Sequence, residues 1–173
     1  MSVALTGFMG AGKSTTGRRL AKLLGLRFVD VDAEIELRFG PIAKIFEREG
    51  EGGFRVIESA LISELSSGEP FVAALGGGAV LDAANRLELR RHAYVVHLSI
   101  SPRTAHRRVA HRQHRPLLGV KPDLDTISAL LAQRAPAYAD CDLSIRVDRR
   151  SPAQAARIIA RWYRDQSLEA SRT

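Results

Sequence analysis

"TGFMGAGKST" (residues 6–15) sets Gly7, Gly12, Lys13 and Ser14 in the spacing G-x-x-x-x-G-K-[ST]. That spacing decides the fold class, because the motif works only between a strand and a helix. Glycines let the backbone curl until several N–H groups face one point, and the helix N-terminus adds its dipole. Such a cradle suits phosphate oxygens. Gly10, Ala11, Gly12, Lys13, Ser14 and Thr15 are therefore the candidate nucleotide-binding residues. Lys13 is expected to reach the β- and γ-phosphates, and the Ser14 hydroxyl to ligate Mg2+. The alternative, a turn of purely structural use, is disfavoured by the full motif in its strand–loop–helix setting.

Outward from the loop, short apolar runs alternate with helical patterns, the rhythm of a parallel sheet covered by helices. Strands are expected at Ser2–Thr6, Arg27–Val31, Phe71–Leu75, Ala93–Leu98 and Leu143–Val147. A helix over Lys13–Leu24 carries Leu20, Leu23 and Leu24 on one stripe and stops at Gly25. Pro41 opens another, and Ser101-Pro102 and Ser151-Pro152 each pair a capping hydroxyl with proline at the first helical position. Phe54, Ile57, Leu61 and Leu65 share one helical face, while Arg55 and Glu58 adjoin each other on another. Residues 1–173 read as one domain, with a frayed tail from about Ser167 to Thr173.

The formal net charge of +7 points to anionic partners. Only Lys13, Lys22, Lys44 and Lys121 of the 26 basic residues are lysine; the rest are arginine, whose planar fork matches carboxylate and phosphate. Aromatics make up only 6% of the chain, too few for the stacking surfaces of a nucleic-acid binder. Nucleotide and acidic metabolite are the favoured partners, with no nucleic acid and no membrane. No apolar run approaches the roughly 20 residues that span a bilayer. The N-terminus lacks a signal-peptide pattern, and Cys141 is the only cysteine, which fits a reducing cytoplasm. A monomer is expected.

What receives the phosphate is a separate question. A guanine-reading Asn-Lys-x-Asp segment is missing, since the one asparagine, Asn85, precedes Arg86. The chain is too short for a motor ATPase. A small phosphotransferase remains, and it needs a second acid, an acceptor pocket and a lid. "FVDVDAEIE" (28–36) puts Asp30 and Asp32 at the C-terminal end of the second strand, where open α/β sheets bind ligands. If the strand continues, both point the same way. One could help hold Mg2+ and the other could orient a substrate hydroxyl; alternatively, Asp32 is the N-cap of a helix over Ala33–Phe39. His106, His111 and His114 have no cysteine or acid beside them to complete a zinc site.

The phosphate loop, D-x-D, "GGFRVIES", "LGGGAV", "RPLL" and "QRAPAY", in that order from about Val3 to Arg150, resemble the shikimate kinases. The resemblance implies a P-loop kinase fold with five parallel strands in order 2-3-1-4-5 flanked by helices, plus a lid. It also implies transfer of the γ-phosphoryl of ATP to the 3-hydroxyl of shikimate, on the route to chorismate and the aromatic amino acids.

By that resemblance, Arg55 and Arg134 grip the substrate carboxylate, with Glu58 orienting Arg55, although a plain surface ion pair is the other reading of Glu58. Gly76, Gly77 and Gly78 bring backbone to the substrate, and the Gly77 N–H contacts it. Asp32 faces the hydroxyls and Asp30 the metal's hydration shell. Residues 106–122 form the lid, whose Arg115 covers the phosphates, while Arg108 stacks on adenine and Arg149 or Arg150 contacts the base. Lys13, Asp32 and Arg115 are the implied catalytic set. Departures are Gly53, where the family often has an acid before the phenylalanine, and Ser59, where a second acid often follows the glutamate. The nearest rivals are another small-molecule kinase, such as a gluconate or nucleotide kinase, and a nucleotide-dependent RNA-binding protein.

Overall fold

The computed structural model describes residues 1–109 and 123–170, with side chains through 168. Its strands are β1 (Ser2–Thr6), β2 (Arg27–Asp30), β3 (Phe71–Ala74), β4 (Ala93–Ser99) and β5 (Leu143–Arg146). They form one sheet in the order β2-β3-β1-β4-β5, and every neighbouring pair is parallel. β1 and β3 are buried along their whole length, which is why Val3–Leu5 and Phe71–Ala74 read as unbroken apolar runs. The edge strands β2 and β5 are more open and alternate less cleanly.

Helices α1 (Lys13–Leu24), α2 (Val31–Phe39), α3 (Ile42–Ser66), α4 (Ala83–His92), α5 (Pro102–Val109), α6 (Leu124–Ala139) and α7 (Pro152–Ala170) cover the sheet. α1 ends where expected: Gly25 is left-handed (φ 69°) and its N–H donates to the Ala21 carbonyl. The stripe on α1 differs from expectation. Leu20 and Ala21 are buried, whereas Leu23 is 42% exposed, beyond the covered edge of the helix. Ser101 and Ser151 cap α5 and α7; Ser151 does so reciprocally with Gln154.

α2 corrects the sequence reading more deeply. The strand stops at Asp30, and the helix begins at Val31 rather than Ala33. Asp30, not Asp32, is the N-cap: its carboxylate accepts from the Ala33 N–H at 3.5 Å. α3 joins two expected segments across a kink at Gly50 (φ 68°). α7 continues to Ala170, past Ser167, where fraying was expected to begin. Of the expected lid, residues 106–109 belong to α5, while 110–122, including Arg115, lie outside the described residues.

Candidate active site

The phosphate loop turns between the end of β1 and the start of α1, at the carboxyl edge of the sheet. Gly7, Gly10 and Gly12 have φ of 137°, 82° and 87°. At Gly7 the requirement is also steric, because a Cβ there would stand 2.5 Å from the Leu98 carbonyl oxygen of β4. Lys13 Nζ donates to the Gly7 carbonyl at 2.7 Å and lies 3.4 Å from that of Phe8. Ala11 turns its side chain into the core. Gly10, Gly12, Lys13, Ser14 and Thr15 line a cavity of about 460 Å³, and Asp30 and Asp32 stand on its wall.

Ser14 and Asp30 thus share one cavity, which suits Mg2+: this ion keeps several waters and takes only one or two protein carboxylates beside substrate phosphates. Among the described residues there is no cluster of three or more His, Cys, Asp or Glu that would hold a metal more tightly. Arg108 crosses the loop from α5, donating to the Gly10 carbonyl (3.0 Å) and the Val147 carbonyl (3.2 Å). Arg150 curls back onto the Arg146 carbonyl at 2.5 Å and is exposed, outside the residues that line the cavity.

A second cavity, of about 430 Å³, adjoins the first. Asp32, Arg55, Glu58, Gly76, Gly77, Gly78 and Arg134 all line it. Asp32 and Gly77 border both cavities, so a carboxylate stands where the two spaces meet. Asp30 and Asp32 reach this edge by different means from those expected, one as a helix cap and the other from the first helical turn.

Arg55 and Arg134 are held differently. Arg55 Nη1 donates to Glu58 at 2.6 Å and Nη2 to Glu51 at 3.0 Å. Burial works against the Arg55 charge, but these two carboxylates outweigh it and raise its pKa. Glu58 is wholly buried; that burial pushes its pKa up, Arg55 opposes the rise, and Asp32 adds to it. Arg134 is 6% exposed, donates to the Gly77 carbonyl at 3.3 Å and lies 5.7 Å from the centre of the Phe8 ring. Among the described residues no carboxylate pairs with Arg134. A buried guanidinium without a carboxylate beside it is costly unless an anion joins it.

The glycine run is shaped by these side chains. A Cβ on Gly76 would fall well inside contact with Glu58 Oε1 and 2.9 Å from Asp32 Oδ1; one on Gly78 would collide with the Arg55 guanidinium. Tyr138 escaped the sequence reading. It sits one turn after Arg134 on α6 and its O–H donates to the Gly77 carbonyl at 2.6 Å. The signal was present in "QRAPAY", since residues four apart share a helix face. Phe46 and Phe54, with ring centres 5.0 Å apart, line the apolar side of the cavity and gave no such signal.

A phosphate loop opening through one carboxylate into an arginine-lined cavity defines a small-molecule phosphotransferase of the P-loop kinase fold. The family model for shikimate kinase matches residues 9–164. The shikimate kinase of Thioalkalivibrio sulfidiphilus is 44% identical over 165 residues, covering 94% of this chain and 87% of that protein. That of Nitrobacter winogradskyi is 48% identical over 145 residues, covering 83% and 68%. The structure of shikimate kinase from Acinetobacter baumannii in complex with shikimate superposes with a TM-score of 0.91 at 38% identity, covering 96% of this chain and 94% of that one. A gluconokinase from Sinorhizobium meliloti shares the fold at 21% identity and a TM-score of 0.60. The chain belongs to the shikimate kinase family.

Proposed function

We propose that this protein transfers the γ-phosphoryl group of ATP to the 3-hydroxyl of shikimate, yielding shikimate 3-phosphate and ADP. The observation that carries this reading is the meeting of the two cavities at Asp32, with Arg55 and Arg134 both lining the acceptor side. Shikimate offers one carboxylate and three hydroxyls on a ring. Guanidinium forks suit the carboxylate, and their grip strengthens where water is excluded. Phe46 and Phe54 offer the ring an apolar wall.

Transfer asks the protein mainly for alignment and charge neutralisation. Asp32 accepts a hydrogen bond from the 3-hydroxyl and holds its oxygen towards the γ-phosphorus. As that O–P bond forms and the bond to the β-γ bridging oxygen breaks, the hydroxyl proton passes to the Asp32 carboxylate. Lys13 and the loop N–H groups neutralise the phosphates, and Arg115 completes the set from the lid. Ser14 and Asp30 would hold Mg2+, which supplies further neutralisation of the β- and γ-phosphates when bound. Arg108, which lines the nucleotide cavity, serves the base.

We take the protein to work as a monomer in the cytoplasm. Among the described residues no helix is long and apolar enough to cross a membrane, and the lone thiol, Cys141, is half-buried with its pKa pushed up by burial. The test is ADP release from ATP and Mg2+ with shikimate, gluconate or a nucleoside monophosphate as acceptor. Stimulation by shikimate alone is expected; stimulation by another acceptor alone would overturn the assignment.

A further inference from the structure

The wall formed by Gly76–Gly78 is gripped from a helix that touches neither cavity. Immediately after the glycines, Ala79–Leu81 make one 3₁₀ turn. Two neighbouring side chains of α4 bind its carbonyls. Asn85, buried, donates from Nδ2 to Ala79 at 3.0 Å, and Arg86 donates from Nη1 to Val80 at 2.7 Å and Leu81 at 3.0 Å. The other edge of the Arg86 guanidinium, Nε, donates to Asp140 Oδ2 at 3.0 Å. Asp140 is the residue that ends α6, and Arg90 pairs with its second oxygen. α6 itself returns to the glycine wall, because both Arg134 and Tyr138 donate to the Gly77 carbonyl.

These contacts close a ring: glycine wall to α4, α4 to the end of α6, and α6 back to the wall. Arg86 joins the 3₁₀ turn to the end of α6 through a single rigid group. A planar guanidinium that satisfies carbonyls along one edge and a carboxylate along the other fixes their relative placement, which a lysine ammonium, as a point charge, does not. We propose that Arg86 and Asp140 form a positioning clamp for the acceptor cavity. The clamp seats α6 against the glycine wall and so sets where Arg134 stands relative to Arg55. The proposal rests on the acceptor cavity being that of shikimate, and it assigns no substrate contact to either residue.

Within the ring Gly77 alone borders the nucleotide cavity, whereas Gly76, Gly78 and Arg134 line the acceptor cavity only, so the clamp acts chiefly on acceptor binding. The experiment is steady-state ADP release by the full chain, with Arg86→Ala, Asp140→Ala and the double variant, titrating shikimate and ATP separately. Arg86→Ala is expected to raise the shikimate KM about tenfold while the ATP KM stays within about twofold. The double variant should be no worse than the poorer single one, because both break the same link. Arg38→Ala, which removes a surface pair with Glu64 remote from the cavities, should leave both KM values in place. If Arg86→Ala does not fold, Asp140→Asn keeps the side-chain volume, removes the charge and is expected to raise the shikimate KM about threefold.

An unmoved shikimate KM, a parallel rise in both KM values, or a double variant as poor as the product of the singles would each overturn the clamp. Failure of the wild-type chain to respond to shikimate would instead overturn the reading of the cavity.

Discussion

Arg55 donates to Glu58 across 2.6 Å, and the carboxylate that receives it is completely buried. Such a pair is weak evidence of stability, yet breaking it is expensive, because the remaining charge is left in a poor dielectric. Glu58→Ala is therefore expected to cost about 3 kcal/mol in thermal unfolding. Glu58→Gln, which keeps the shape, should cost less but still raise the shikimate KM, since Arg55 loses the partner that aims it. A Gln variant with wild-type KM would remove Glu58 from substrate orientation.

Asp32 stands where both cavities meet. Replacing it with asparagine preserves size and removes the negative charge that the proposed mechanism uses to align the hydroxyl and take its proton. Turnover should fall by about 100-fold or more, with the ATP KM within about threefold. Unchanged turnover, measured with both substrates saturating, would take Asp32 out of the mechanism.

Arg134→Lys keeps a positive charge but loses the planar fork and the contact with the Phe8 ring. The shikimate KM is expected to rise about tenfold or more, with the ATP KM little changed. An effect on ATP alone would mean that the acceptor cavity has been misplaced.

Gly76 and Gly77 should differ although they are neighbours. A methyl group on Gly76 would collide with Glu58, whereas one on Gly77 would meet nothing nearer than 3.7 Å. Overpacking of this sort costs about 1–3 kcal/mol. Gly76→Ala is expected to lower Tm by about 2–12 °C and Gly77→Ala by much less. Equal Tm values would show that Glu58 moves aside at little cost.

His97 stacks on Tyr138 at 4.9 Å, and burial, aided by the Lys13 charge, brings its pKa down to about 4. The unfolded chain, with an ordinary histidine near 6.5, takes up its proton first as pH falls. Stability held above pH 6.5 is therefore lost progressively down to about pH 4 and no further on this account, by at most about 3 kcal/mol. His97→Phe should flatten that part of the stability profile in denaturant titrations at several pH values. An identical slope in the variant would assign the pH dependence to other groups.

Much of the fold was legible along the chain. β1 and β3 are fully buried, so their apolar runs announced them to within a residue, and Gly25 announced the end of α1. "FVDVDAEIE" misled because two-residue alternation was carried past Asp30. Nothing local marks where extended backbone gives way to helix when the capping residue is itself a plausible strand residue. Leu23 misled for another reason: helical spacing defines a stripe, but how wide a stripe is covered depends on the neighbouring elements, and Leu23 falls outside the covered width.

By itself the sequence determined the phosphate cradle, the alternation of strands and helices, and the stock of carboxylates and guanidinium groups. Each of these depends on residues close together in the chain, whose spacing alone fixes their geometry. Only the tertiary structure decided that Arg134 lies buried with no carboxylate paired to it among the described residues, that Tyr138 shares its carbonyl, and that Asp32 borders both cavities. Those relationships arise where parallel strands, joined through crossover helices, bring distant segments to one edge of the sheet, and no short-range pattern encodes that distance.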